Sequence, residues 1–114
     1  MTKEKAISKL GAYAIGNENY EVIISQSKEI AWYWFRDNAG YTNEQMKNFS
    51  IWAFDMERKV YIKNYREISA KEVIKEVQEL DSFSGFPIVA FEKKIHQEYF
   101  TNWYTSWNAE NRDS

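Results

Sequence analysis

His96 is the single histidine of the chain, and cysteine is absent. These two residue types supply most general bases, nucleophiles and transition-metal ligands. His96 is therefore the residue around which a small enzyme could be centred, as a general base in an aromatic setting with Ile95 and Tyr99. No serine or acidic residue stands at a spacing that completes a nucleophilic constellation with it. A place at the amphipathic edge of a core accounts for it more simply. The carboxylates offer little more. Asp55-Met56-Glu57 lacks the glycine and the spacing of a calcium loop. Glu76 and Glu79, with Lys71 and Lys75 nearby, read as a solvated charge lattice on a helix. Two carboxylates for glycoside hydrolysis need only meet in space, and spacing singles out no pair. Gly11, Gly16, Gly40 and Gly85 are isolated, so no phosphate-cradling loop is present, and no Gly-x-Ser-x-Gly elbow occurs. The expectation is a chain with no catalytic residues, no metal and no cofactor.

Gripping groups are abundant by contrast: five Trp, eight Tyr and seven Phe in 114 residues. Trp and Tyr are the types enriched at the centres of protein interfaces. Trp32 and Tyr33 fall off the apolar arc of their segment, and Trp103, Tyr104 and Trp107 crowd the chain end. These five are the expected anchors for a protein partner, and the expected role is a non-catalytic inhibitor, immunity-type or adaptor module acting by steric occlusion. An alternative is single-stranded nucleic acid stacked on Tyr61 and Tyr65 with Lys63 between them on one strand face. A net charge of −2 with no basic stripe opposes it. A second alternative is the small enzyme centred on His96. Trp103, Tyr104 and Trp107, interleaved with Asn102 and Asn108, could also stack on a sugar. The segment 82–87 reads as a turn.

A length of 114 residues and a charged fraction of 28% suit one globular domain over 1–114, with a polar, fraying tail at about 108–114. Without cysteine there is no disulfide. The start Met1-Thr2-Lys3-Glu4-Lys5 carries no apolar signal core, and no apolar run reaches bilayer length. A cytoplasmic location and no membrane partner are expected.

The elements that must position these residues follow from caps and periodicity. Thr2 can cap a helix over 3–15, with Ala6, Ile7, Leu10, Tyr13 and Ala14 on one arc and Gly16 as its stop. Residues 20–25 read as a β-branched strand. Ser27 and Gly40 bracket a helix over 28–38, with Ile30, Ala31, Trp34 and Phe35 inward, although 30–35 also fits a strand. Thr42 and Gln45 form a capping box for a short helix to about Phe49. Strands are expected over 50–55 and 60–65. Ser69 and Glu72 form a second box for a helix over 70–80, whose stripe is Val73, Ile74, Val77 and Leu80. A strand over 88–91 follows. The tail 95–107 gathers its apolar residues better as a helix than as a strand. Residues 20–91 thus read β-α-β-β-α-β with a short extra helix, the ferredoxin-like order. The expected fold is α+β: a ferredoxin-like antiparallel sheet with both main helices on one face, plus extra N-terminal and C-terminal helices.

Overall fold

A five-stranded antiparallel sheet separates two apolar layers. The structure is a computed structural model and describes residues 9–62, 66–81 and 83–102. The chain runs β1 (Gly11–Gly16), β2 (Tyr20–Ser25), α1 (Lys28–Ala39), α2 (Asn43–Met46), β3 (Ser50–Phe54), β4 (Val60–Tyr61), β5 (Glu67–Ile68), α3 (Ala70–Gln78), β6 (Ile88–Lys93) and β7 (Phe100–Asn102). Strand order in the sheet is β3-β1-β2-β6-β7, and β4 and β5 form a separate two-stranded ribbon.

β1 and β2 are a hairpin closed by Asn17, Glu18 and Asn19, with Gly16 opposite Tyr20. Gly16 has φ +145°, and a Cβ there would lie 2.2 Å from the Asn19 carbonyl oxygen. Only glycine meets both conditions without a backbone shift. Both β2 and β3 run antiparallel to β1, so they are parallel to one another with β1 between them. Their connection carries α1 and α2 across one face. There Ala31, Phe35 and Met46 bury against Ile15 and Ile23. Ser27 caps α1 by accepting from the Ile30 N–H at 3.1 Å, and Gly40, at φ +75°, ends it by donating to the Arg36 carbonyl.

The connection from β3 to β6 covers the opposite face. α3 starts at the Ser69–Glu72 capping box and buries Ala70, Val73, Ile74 and Val77, positions that recur at helical spacing. They meet Ala12, Ala14, Val22 and Ile24 of the sheet and Val60, Ile62 and Ile68 of the ribbon region. A register shift between Val22 and Ile23 leaves Ala90 as the extra residue of β6. The bulge lets Ala90 and Phe91 both join this core while Val89 faces α1. The sheet coils tightly. Phe54 and Phe100 stand on its opposite edge strands, yet their ring centroids are 6.4 Å apart. Strands spaced ~4.8 Å apart would hold them much farther apart in a flat sheet. Ala12, Ala14 and Ala90 keep the concave face shallow enough for those rings, with Tyr20 and Phe91, to meet over it. Arg58 lies over both Phe54 and Phe100, at 5.0 and 5.7 Å from their centroids.

The α+β class, the antiparallel sheet and helices α1, α2 and α3 agree with the sequence expectation, but the arrangement differs. The main helices lie on opposite faces of the sheet, not together on one. The place between strands 20–25 and 50–54, where the ferredoxin-like order would put strand 60–65, is taken by β1. A hairpin partner reached through three residues costs far less loop entropy than one reached through a long connection. Residues 60–61 pair with 67–68 instead, as a ribbon in the α3 layer. A helix over 3–15 is corrected for its second half: Gly11–Gly16 is a strand buried on both faces. Such a strand shows no polar alternation, which let its apolar residues fit a helical arc. The rest of that expected helix, 1–8, lies outside the described residues. A helix over 95–107 is corrected too. Ile95 and His96 form a turn, and Phe100–Asn102 is a strand paired with β6, because Phe100 reaches the concave core as Lys93's cross-strand neighbour. Residues 103–107 lie outside the described residues.

Candidate functional site

Glu21 is out of place by type. It sits on β2 with Ile23 on its own face, so it points toward α1. Its cross-strand neighbours are Ile15 on β1 and Glu92 on β6, each directly opposite. Two carboxylates so placed repel across a strand pair. Burial pushes the Glu21 carboxyl above its usual range, and the Glu92 charge pushes it further the same way.

Above this pair lies a cleft of about 380 Å³ between the sheet and the end of α1. Glu21 and Glu92 form its floor, and Phe35, Tyr41 and Phe49 form one wall. The three rings touch, with centroids 5.0 to 5.8 Å apart. A smaller lobe of about 190 Å³ shares Glu21, Phe35 and Ala39 and extends to Trp34, Asn38 and Val89. The last turn of α1 borders both lobes through Ala39. The carbonyl end of a helix carries partial negative charge, so it too favours a cation there. Lys94 stands at the rim, its Nζ 3.8 Å from Glu92.

The β1–β2 turn is hydrogen-bonded to segments on both sides of the cleft. The Asn17 side-chain amide donates to the Asn48 carbonyl at 2.6 Å, fixing the residue before Phe49. The Asn19 side-chain oxygen accepts from the Ile95 N–H at 2.6 Å, fixing the residue after Lys94. One short turn therefore places an aromatic wall residue on one side and the rim lysine on the other. A larger hollow of about 640 Å³ lies between Leu10, the turn after β3 and α3. Within it Lys71 lies 3.7 Å from Glu57.

The residues singled out from the sequence are scattered. Tyr33 is 53% exposed on the outer side of α1, with the Arg36 guanidinium 4.9 Å over its ring. Trp32 is half-buried against the second core, and Ile30, expected inward, is 45% exposed. Tyr61 is exposed on the ribbon, away from the five-stranded sheet. Lys63, Tyr65, Trp103, Tyr104 and Trp107 lie outside the described residues. His96 is exposed on the β6–β7 turn at φ +71° and does not line the cleft. Among the described residues no group of three or more His, Cys, Asp or Glu is placed to hold a metal ion. No helix among them is long and apolar enough to cross a membrane. Sequence reasoning missed Glu21 and Glu92. The signal was Glu21 itself, a charge on the inward face of a strand whose neighbours are apolar.

The comparisons with known proteins add no relative. No protein-family profile, no curated protein and no solved structure matches the chain.

Proposed function

We propose that this chain is a small non-catalytic protein-binding module, of inhibitor or immunity type, that takes a basic side chain of its partner into the cleft under α1. The observation that carries this is the Glu21–Glu92 pair held on the floor of an aromatic-walled cleft. A fold gains nothing from two apposed carboxylates. A lysine ammonium or arginine guanidinium between them would neutralise the repulsion and lie against the rings of Phe35, Tyr41 and Phe49. Tyr33 and Ile30, exposed on the outer side of α1, would add apolar contact area for the same partner. An acidic floor repels a phosphate backbone, so nucleic acid suits this cleft poorly.

Titration with N-acetyl-lysine amide and N-acetyl-arginine amide, followed by NMR shifts of Phe35, Tyr41 and Phe49, tests this. Weak binding at a Kd of about 1 mM is expected, equivalent to ~4 kcal/mol. Glu21→Gln should abolish it, and N-acetyl-norleucine amide should not reproduce it. Removing the rim cation with Lys94→Ala should tighten binding, because Glu92 then lacks its resident partner. Equal shifts with the norleucine control, or none with either basic probe, would overturn the proposal.

A further inference from the structure

We infer that the basic side chain taken into this cleft is an arginine, whose guanidinium bridges Glu21 and Glu92. This rests on the cleft being a binding site for a basic side chain, as proposed above, and narrows which one. Glu21 and Glu92 stand directly opposite each other on β2 and β6, and both line the same cleft. Side chains so paired start about 5 Å apart. A guest that settles their repulsion must therefore engage both at once. A guanidinium is a flat fork with N–H donors on more than one edge, so one edge can serve each carboxylate. An ammonium is a compact point charge.

The chain's own lysine shows the difference. Lys94 places an ammonium 3.8 Å from Glu92 at the rim. The Glu92 charge nonetheless still pushes the Glu21 carboxyl up. One compact cation beside one carboxylate thus leaves the pair unsettled. Burial is the larger cause of the upward push on Glu21, so a cation that meets it must shed water too. A guanidinium is the more weakly hydrated of the two cations.

The rings select the same shape. Phe35, Tyr41 and Phe49 are packed against one another, with centroids 5.0 to 5.8 Å apart. No cation fits between rings so close, so they do not form the cage that encloses a methylated ammonium. They form a continuous wall along one side of the cleft, against which a planar guanidinium lies flat. The arginines among the described residues are engaged elsewhere. Arg36 is bonded to Asp37 and Asn43, Arg58 lies over Phe54 and Phe100, and Arg66 is bonded to Glu76. The guest arginine is therefore assigned to a partner. Arg112 lies outside the described residues and enters the test.

The wild-type protein is titrated with the N-acetyl amides of arginine, lysine and Nη,Nη-dimethylarginine, and NMR shifts of Phe35, Tyr41 and Phe49 are followed. The arginine probe should bind ~10-fold more tightly than the lysine probe. Dimethylarginine keeps the charge but loses donors on one edge, so its affinity should fall to the lysine level. Glu92→Gln should remove the preference for arginine, since one carboxylate then remains. Arg112→Gln should leave the arginine affinity unchanged. Equal affinity for arginine and lysine would overturn this inference while the basic-side-chain reading of the cleft stands. So would dimethylarginine binding as tightly as arginine, or a preference that survives Glu92→Gln. Silence from every probe would sink the inference and that reading together. A gain in arginine affinity with Arg112→Gln would assign the site to this chain's own tail and overturn the partner's claim to it.

Discussion

Replacing Glu21 by Gln should make the protein more stable and less able to bind. Gln matches Glu in shape and removes one charge from the floor of the cleft. In the fold the Glu21 carboxyl titrates above its ordinary range, first because it is buried and then because Glu92 is opposite. A carboxyl whose pKa is raised on folding favours the native state in its protonated form. That contribution is fully present below the ordinary carboxylate range and is lost as pH rises through the raised value. At neutral pH the ionised Glu21 therefore counts against the fold. Like charges directly opposite on paired strands cost up to ~1 kcal/mol. Partial solvent access and Lys94, 3.8 Å from Glu92, screen the pair, so the net gain from Gln is about 0.5–1 kcal/mol. In a domain near this size that raises Tm by about 2–4 °C. Thermal unfolding followed by circular dichroism should show the gain at about pH 7 and its disappearance once acid protonates the wild-type carboxyl. NMR titration of Glu21 in a Glu92→Gln protein should show its midpoint move down toward the ordinary range. In the wild type, affinity for a basic probe should rise with pH through the Glu21 titration. A Glu21→Gln protein less stable than wild type at neutral pH, or equally stabilised in acid, would refute the electrostatic reasoning. A stabilising substitution that erases binding is what a functional strain in the fold entails.

Gly16→Ala should destabilise by about 2–3 kcal/mol, because its Cβ would strike the Asn19 carbonyl and the backbone is held at positive φ; urea unfolding measures this. Lys59→Met should move the Glu72 titration, read by NMR, upward. The bond from Lys59 is the main cause holding that carboxyl below its usual range, and the Ser69 side chain and backbone add to it. The stability linked to Glu72 is present above the ordinary carboxylate range and lost as pH falls through the lowered value, so the variant should be less stable than wild type near neutral pH and the difference should vanish in acid. Tyr33→Ala should leave Tm within about 1 °C, since the ring is mostly exposed, yet weaken capture of a native partner by more than ~1 kcal/mol if α1 faces that partner.

Local rules were legible wherever a few adjacent residues decide the outcome. Ser69 and Glu72 start α3, Thr42 and Gln45 start α2, and Ser27 and Gly40 bound α1, as their sequence spacing indicates. Capping is settled by hydrogen bonds three residues apart, and no distant contact competes with it. The strands behave differently. β1 fits a helical arc because a strand with apolar neighbours on both faces shows no alternation to read, and β7, only three residues long, is too short to show a period. Trp32 and Tyr33, both expected as anchors, separate only once α1 is docked: Trp32 turns into the second core and Tyr33 stays outside. Much of the aromatic load packs, with Tyr20, Phe54, Phe91 and Phe100 meeting across the coiled sheet.

By itself the sequence determined the α+β class, three capped helices and the poverty of proton-transfer groups, all properties of composition or of contacts within one helical turn. Only the tertiary structure decided that α1 and α3 lie on opposite faces, that β1 sits between β2 and β3, and that Glu21 meets Glu92. Cross-strand register joins Glu21 to Glu92, far apart in the chain, and such pairing depends on which strands become neighbours, a choice made by burial summed over the whole chain.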